Sequence, residues 1–257
     1  MTLFDELRRT LVAEQPAVLF TVLEGPRAGA KLLVTESGDV HGEGPAGLAE
    51  SASELLARGR GRIVEHEGVR VFADVFGPPP RLVVFGAVDT AEALCAAAKA
   101  IGWATLVSDA RARFATPERL PSAGQIVVAW PDEALERIRP DRRTAVVCLS
   151  HEERFDVPAL AGALASDAFY IGALGSRRTQ AKRRARLAEA GVPEADIERI
   201  HGPCGLDIGA ETPAETALSI MAEVLAVRAG RSGVGLARTS GRIHAEPPDD
   251  AVRLETA

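Results

Sequence analysis

The sequence is poor in cysteine and in long apolar runs, and each scarcity excludes a class of protein. The 257 residues include only three cysteines, an odd number without the close pairing that zinc sites and redox dithiols use. A disulfide-stapled scaffold is therefore excluded, and a reducing compartment fits best. No apolar stretch approaches the ~18 residues of a membrane-spanning helix. Charged residues from Asp5 to Arg9 stand where a signal peptide would be apolar, so we expect a cytoplasmic protein.

Basic residues are also fewer than acidic residues, 30 against 36. The formal net charge is −6 at pH 7, whereas nucleic-acid-binding proteins concentrate positive charge on the binding face. We therefore expect neither a nucleic acid nor a membrane as partner. One segment departs from this balance, because six cations lie between Arg177 and Arg186. Such a local cluster requires its own explanation.

The pattern of predicted elements divides the chain into two domains. Residues 1–76 combine a helical repeat, short β-rich runs and a hairpin, which predicts a small α+β domain. A Gly/Pro linker at 77–80 follows, since a proline run forms a stiff spacer. In residues 81–230, strand-length apolar runs alternate with helical segments, the pattern of a parallel sheet with helices on both faces. Residues 231–257 have no apolar period, and we expect a disordered tail.

The second domain is predicted to be Rossmann-like, with five strands. They are Arg81–Phe85, Ala104–Ser108, Gln125–Ala129, Thr144–Leu149 and Ala168–Ile171. Helices are expected after the first, third, fourth and fifth strands. A final helix is expected to begin at Thr212, with Glu215 completing a capping box, and to run to about Ala229. The predicted fold class is therefore α/β.

The turn after the first of these strands departs from a dinucleotide-binding turn. Of its three spaced glycines only Gly86 is present, Val88 stands where a pyrophosphate would approach the backbone, and Asp89 brings negative charge to the helix start. NAD or NADP binding is therefore disfavoured. Asp109, 23 residues beyond Gly86, either accepts a ribose hydroxyl or caps a loop or helix.

The fourth strand ends in Ser150 and His151, at the sheet edge where open α/β folds bind ligands. Ser150 lacks the Gly-x-Ser-x-Gly context of a hydrolase nucleophile. His151 is either a residue of a ligand site or a hydrogen-bonded loop histidine. Cys148, inside the strand, is expected to be inert packing.

The fifth strand leads into a glycine-bearing turn and a helix that begins with two cations. Gly172, Gly175 and Ser176 precede Arg177 and Arg178. Backbone amides, the helix dipole and two guanidinium groups together suit a phosphate or pyrophosphate. The alternative is that the arginines only cover a solvated helix face. That alternative explains Lys182–Arg186 well, but it explains two cations at the unfavourable end of the dipole poorly.

A second glycine-rich loop, residues 201–209, contains Gly205 and Asp207 and leads into the final helix. Its glycines permit positive φ and close approach to a ligand. Cys204 lies in this loop, so we expect it to be more accessible than Cys148. It is either a sulfur-handling thiol or an unreactive side chain.

These segments resemble the XdhC/CoxI family of xanthine dehydrogenase accessory proteins. The motifs that carry the resemblance are Tyr170–Thr179, His201–Pro203, Gly205–Ala210 and Thr212-Pro213 with Glu215. The resemblance extends from Phe85 to Arg228. It implies a two-domain protein that binds molybdenum cofactor (molybdopterin), assists its sulfuration and inserts it into a molybdenum hydroxylase such as xanthine or carbon monoxide dehydrogenase. The implied partners are the hydroxylase apoenzyme and a cysteine desulfurase.

With this resemblance, the anion site becomes the expected phosphate pocket of the cofactor, and the protein a non-catalytic chaperone. The residues expected to bind the cofactor are Gly86, Asp109, His151, Gly172, Gly175, Ser176, Arg177, Arg178, Gly205 and Asp207. The first domain departs from the family in one place. Leu48 stands where the family usually has a cysteine, in the segment Pro45–Glu50, so a role in sulfuration is in doubt.

Two other functions remain open from the sequence alone. One is an NAD(P)-dependent oxidoreductase with a degenerate Rossmann site, and the other is an interaction module without a ligand. An open sheet edge in each domain would also allow a homodimer.

Overall fold

The computed structural model describes residues 2–59, 61–150 and 152–240. They divide into two compact units. Of these described residues, one unit contains those up to Pro78 together with residues 235–240, and the other contains those from Pro79 to Val234. Of the predicted tail, residues 241–257 lie outside the described part, and Leu236–Arg238 forms a short 3-10 helix.

The first unit is a five-stranded antiparallel sheet with two helices. Its elements are α1 (Leu3–Val12), β1 (Ala17–Val22), β2 (Lys31–Thr35), β3 (Val40–Gly42), a 3-10 turn (Leu48–Ser51), α2 (Ala52–Arg58), β4 (Arg62–His66) and β5 (Val69–Phe76). The strand order is β3-β2-β1-β5-β4. Helix α1 begins with a capping box formed by Thr2 and Asp5. The sequence did not predict β3, which is only three residues long.

The core of this unit lies between one face of the sheet and the segment from the 3-10 turn to α2. Phe20, Val34 and Val71 from three strands pack with Leu48 and Leu55. Leu48 has no exposed surface. Leu48, which the resemblance places at a cysteine position, is therefore part of the hydrophobic core.

The second unit is a parallel sheet covered by helices on both faces, which confirms the predicted α/β class. Its elements are β6 (Arg81–Phe85), α3 (Asp89–Ala100), β7 (Ala104–Ser108), β8 (Gln125–Val127), α4 (Pro131–Ile138), β9 (Thr144–Cys148), α5 (Glu153–Leu164), β10 (Tyr170–Ala173), α6 (Arg177–Glu189), α7 (Glu194–Ile197), β11 (Ile200–His201) and α8 (Pro213–Arg228). The strand order is β11-β10-β9-β6-β7-β8. The sheet thus has six strands where five were predicted, because the sixth is only two residues long.

Alternate side chains of the central strand β6 supply two separate cores. Leu82 and Val84 pack in the core that α3 and α8 cover. Val83 and Phe85 pack in the core on the other face, beneath α4, α5 and α6. All five residues of β9 are buried, as expected for a central parallel strand. None of the helices in the described ranges is both long and apolar enough to cross a bilayer.

The strand order creates a topological switch point beside β6. The chain places β7 and β8 on one side of β6, and then returns to place β9, β10 and β11 on the other. The connections after β6 and β9 therefore diverge at the carboxyl edge of the sheet. Ligands of open α/β folds bind at this place.

Candidate anion-binding site

The two loops that leave the switch point lie close together. Gly86 has φ +110°, and a Cβ added to it would stand 3.2 Å from the backbone nitrogen of Ser150. A side chain at this position would therefore be strained and crowded. Ser150 itself is buried, and its hydroxyl accepts a hydrogen bond from the backbone N–H of Glu152. The hydroxyl thus holds the residue that precedes α5. His151 lies outside the described residues.

Asp109 lies at the predicted edge, where it holds the turn after β6. Its Oδ2 accepts a hydrogen bond from the backbone N–H of Ala87 at 2.9 Å, and its Oδ1 accepts one from the backbone N–H of Arg111 at 2.9 Å. The Arg111 guanidinium donates to both oxygens, at 2.9 and 2.8 Å. Burial alone would raise the pKa of Asp109, but these hydrogen bonds outweigh it and lower the pKa. Only 1% of Asp109 is exposed, so this carboxylate acts through the turn.

The turn after β6 therefore offers little to a pyrophosphate. The amide of Ala87 is used by Asp109, and the amide of Val88 donates to the carbonyl of Gly86 at 3.1 Å. Asp89, in the first turn of α3, has an 85% exposed side chain. Its negative charge stands where a helix start would otherwise attract phosphate.

The loop between β10 and α6 has the opposite character. Ser176 caps α6, because its side chain accepts a hydrogen bond from the backbone N–H of Thr179 at 3.2 Å. Gly175 has φ +138°, where a Cβ would contact the Thr179 side chain at 3.1 Å. The amides of residues 175–178 have no acceptor among the described residues, as expected before and within a first helical turn.

The two cations at this helix start are also unpartnered. Arg177 and Arg178 are exposed. Neither has a hydrogen bond or an ion pair within the described ranges. The first turn of α6 contains no acidic residue that would offset their charge. Two guanidinium groups and four free amides therefore point to an anion at this loop.

The remaining cations of α6 are not one solvated face, which corrects the sequence analysis. Arg183 is buried, with a relative exposure of 4%, and forms an ion pair with the buried Asp156 at 2.7 Å. The same guanidinium donates to Oε1 of Gln180 at 2.7 Å and to the carbonyl of Leu174 at 3.3 Å. Gln180 in turn donates to the carbonyl of Ala173 at 2.8 Å. Arg183 thus ties the start of the β10–α6 loop to helices α5 and α6.

The glycine-rich loop after β11 is held by a residue that the sequence analysis did not consider. Oε2 of Glu223, on α8, accepts hydrogen bonds from the Gly205 amide at 2.7 Å and from the Tyr170 hydroxyl at 2.5 Å. Its Oε1 lies 3.3 Å from Nδ1 of His201. The Tyr170 and His201 rings stack with centroids 4.6 Å apart. The contacts join residues 53 and 22 positions from Glu223, and no local motif marks such a link.

Steric crowding explains why Gly172 and Gly205, at this end of the sheet, are glycines. A Cβ at Gly172 would lie 2.7 to 3.0 Å from atoms of the Tyr170 ring, and one at Gly205, with φ +107°, would lie 2.5 Å from Oγ of Ser219. Asp207, farther along the loop, is exposed. The loop is attached to the sheet by the Cys204 amide, which donates to the carbonyl of Ala173 at 3.1 Å.

Cys148 has no exposed surface, so Cys204 is the more accessible of the two thiols, as predicted, although it too is buried. Its relative exposure is 8%, and burial, with the charge of Glu223 next in importance, raises the pKa of its thiol to about 12. Burial likewise raises the pKa of Cys95 to about 12 and the pKa of Cys148 well above its ordinary value. At neutral pH none of these thiols is a thiolate, the form that acts as nucleophile.

The predicted residues described by the structure therefore gather along one edge of the sheet, at or just after the ends of β6, β7, β10 and β11. Within residues 2–59, 61–150 and 152–240, no three His, Cys, Asp or Glu side chains form a cluster that could hold a metal ion. The free amides of residues 175–178 and the unpartnered Arg177 and Arg178 are donors that suit an anionic group.

Comparison with known proteins identifies the family. The XdhC Rossmann domain matches residues 82–224, more than half of the chain. The chain belongs to the XdhC family. This confirms the resemblance found in the sequence, and the matched segment includes both the β10–α6 loop and the glycine-rich loop after β11.

Three bacterial proteins are similar in sequence to this XdhC protein. Uncharacterized protein YqeB of Escherichia coli K12 is 28% identical over 91% of the chain and 47% of its own length. A probable subunit of xanthine dehydrogenase from Bacillus subtilis is 32% identical over 62% of the chain and 46% of its own length. The molybdenum cofactor insertion chaperone PaoD of E. coli K12 is 31% identical over 60% of the chain and 42% of its own length. The chain spans about half the length of the curated relatives it matches.

A solved structure shows the same architecture. A xanthine dehydrogenase from Bacillus halodurans matches with a TM-score of 0.68 and 26% identity, over 90% of this chain and 68% of that one. The similarity covers both units of this XdhC protein.

Proposed function

We propose that this protein is a non-catalytic chaperone that binds molybdenum cofactor through its phosphate and delivers it to the apoenzyme of a molybdenum hydroxylase. The observation that carries the proposal is the group of unpartnered donors from Gly175 to Arg178, in a chain related to the insertion chaperone PaoD. A phosphate bound there would accept hydrogen bonds from the free amides and from both guanidinium groups.

The residues present suit the phosphate of the cofactor better than its metal. The described part of the chain contains phosphate donors but no cluster of three metal-ligating side chains. The cofactor would therefore be held by its phosphate and pterin. Bound cofactor would bring a molybdenum centre ready for transfer, while this chain would supply binding and orientation.

Each predicted site residue has a distinct part in this proposal. Arg177 and Arg178 contact the phosphate, and Ser176 fixes the helix start. Asp109 is a positioning residue, because its carboxylate already bonds Ala87 and Arg111. The glycines Gly86, Gly172, Gly175 and Gly205 let neighbouring groups of the protein pack closely against the backbone at this edge, and the exposed Asp207 lines the rim. His151 stays a predicted binding residue and lies outside the described residues.

Sulfuration would depend on a partner such as a cysteine desulfurase. Leu48, at the position of the family cysteine, is a core residue, and all three thiols have raised pKa values. Nothing in the described part of the chain therefore favours sulfur transfer by its own cysteines.

The first experiment is purification without oxygen from cells that make molybdenum cofactor, followed by pterin and molybdenum analysis. We expect both in near-equal amounts, at less than one per chain if binding is transient. Protein with neither, even after incubation with cofactor, would favour the ligand-free interaction module. NAD or NADP should leave the melting temperature unchanged, and a clear increase would instead support the oxidoreductase.

A further inference from the structure

A cluster of three arginines surrounds one phenylalanine just beyond the end of β7. The guanidinium carbons of Arg111, Arg113 and Arg119 lie 4.6, 4.6 and 5.1 Å from the centroid of the Phe114 ring. Phe114 is itself partly buried against the core beneath α3 and α8. We call these four residues the arginine–phenylalanine cluster. The ring is held by the core, and each cation is attracted to the ring.

One cation of this cluster has no acidic partner. Arg111 forms ion pairs with Asp109 at 2.8 Å and with Glu152 at 3.2 Å. Arg119 lies 3.5 Å from Asp89. Arg113 is exposed and forms no ion pair within the described residues, and its guanidinium group lies over the Phe114 ring. Arg113 is therefore the member of the cluster whose positive charge is not offset by an acidic side chain of the described residues, and it is the one free to bind an anion.

The ion pair between Arg111 and Asp109 changes what this end of the sheet can recognise. In a dinucleotide-binding fold, a carboxylate at the end of the second strand accepts hydrogen bonds from ribose hydroxyls, and a nearby arginine favours a phosphate. Here β7 is the second strand, and both oxygens of Asp109 are occupied by Arg111. A ligand at this end would therefore meet guanidinium groups.

We propose that the arginine–phenylalanine cluster is a second anion subsite, which binds the dianionic phosphate of a phosphate monoester. Arg113 holds the phosphate, and the Phe114 ring fixes the plane of its guanidinium group. Planar guanidinium groups suit this ligand because they donate paired hydrogen bonds to phosphate oxygens.

This subsite is separate from the β10–α6 loop. Strands β7 and β10 are three strand spacings apart in the sheet order, or about 14 Å. One phosphate cannot contact both. The inference rests on the geometry of β7 and does not require the proposed function.

The experiment uses the full chain with Arg177→Ala and Arg178→Ala as background, so that the first anion site does not contribute. Calorimetric titration compares inorganic phosphate with the nucleoside monophosphates CMP, AMP and GMP. We expect saturable binding that Arg113→Ala weakens at least about tenfold, the fold-change of one charge-assisted hydrogen bond. Arg113→Lys keeps the charge but not the planar group, and should lose only part of the affinity.

The matched control is Arg142→Ala. Arg142 is an exposed arginine without a described partner, and it precedes β9 at the amino edge of the sheet. It should leave binding unchanged. Tighter binding of the monophosphates than of phosphate would identify a nucleotide as ligand, whereas equal binding would identify the phosphate group alone. Absence of saturable binding, or equal affinity of the background protein and its Arg113→Ala form, would overturn the proposal. Neither result would bear on cofactor binding at Arg177 and Arg178.

Discussion

Removing Arg177 and Arg178 together discriminates between an anion site and a solvated helix face. Neither side chain has a hydrogen bond or an ion pair among the described residues, so Arg177→Ala with Arg178→Ala breaks no polar interaction there. Both cations oppose the dipole at the start of α6. Their removal should leave the free energy of unfolding without ligand unchanged, or raise it by about 0.3 to 1 kcal/mol for each charge.

Binding should respond in the opposite direction. Each charge-assisted hydrogen bond contributes roughly 1.5 to 3 kcal/mol, and the exposure of both arginines favours the lower value because water screens them. Two lost contacts then amount to about 3 kcal/mol, or roughly a hundredfold in affinity. Anaerobic titration with molybdopterin, followed by calorimetry or pterin fluorescence, measures this change. Thermal unfolding of the same ligand-free samples measures the stability.

The control must remove two positive charges without touching the loop. Arg142→Ala with Lys182→Ala meets this requirement, since both side chains are exposed and lack a described partner. Arg183 is unsuitable as a control, because it is buried against Asp156. Equal affinity for the wild type and the Arg177/Arg178 variant would refute the reasoning, as would an equal loss in the control.

Three further predictions concern stability and reactivity. Arg183→Ala should lower the free energy of unfolding by about 3 to 5 kcal/mol, because it leaves the buried Asp156 carboxylate unpaired. Arg184→Ala breaks only the exposed ion pair with Glu194 and should lower it by no more than about 1 kcal/mol. Urea unfolding measures both changes. Asp141 accepts hydrogen bonds that outweigh its burial and lower its pKa to about 2. The ionised carboxylate should therefore stabilise the folded protein fully above about pH 4, and this contribution should be lost as the pH falls to about 2. In Asp141→Asn the free energy of unfolding should fall less steeply with pH over this range, and a curve identical to that of the wild type would contradict the prediction. A thiol reagent at pH 8 should modify native Cys204 slowly and Cys148 more slowly still, because their exposures are 8% and 0%; mass-mapped labelling in the reverse order would exclude this explanation.

The fold of the second unit could be predicted because strand-length apolar runs alternate with helical segments along its sequence. Buried parallel strands such as β6 and β9 are continuous apolar runs, and glycines or caps mark the ends of the helices between them. The capping box of Thr212 and Glu215 is present as predicted. Strands β3 and β11 were not predicted because two or three residues carry no periodic signal.

The site was predictable in position but less so in its contacts. The loops at strand ends could be located, because the carboxyl edge of a parallel sheet is one surface. Arg183 could not be separated from its neighbours, since its burial depends on Asp156 from another helix. Glu223 lies within a helix, and its role depends on long-range contacts with Tyr170 and Gly205. Only the folded chain brings such groups together.

The buried ion pair of Arg183 has a consequence for release. The β10–α6 loop is fastened to two helices, so its donors are fixed in place before any anion arrives, and little ordering entropy opposes binding. Transfer to an acceptor protein would then be a direct competition between two sites, decided by the difference in their binding free energies, with each 1.4 kcal/mol changing the ratio of occupancies about tenfold.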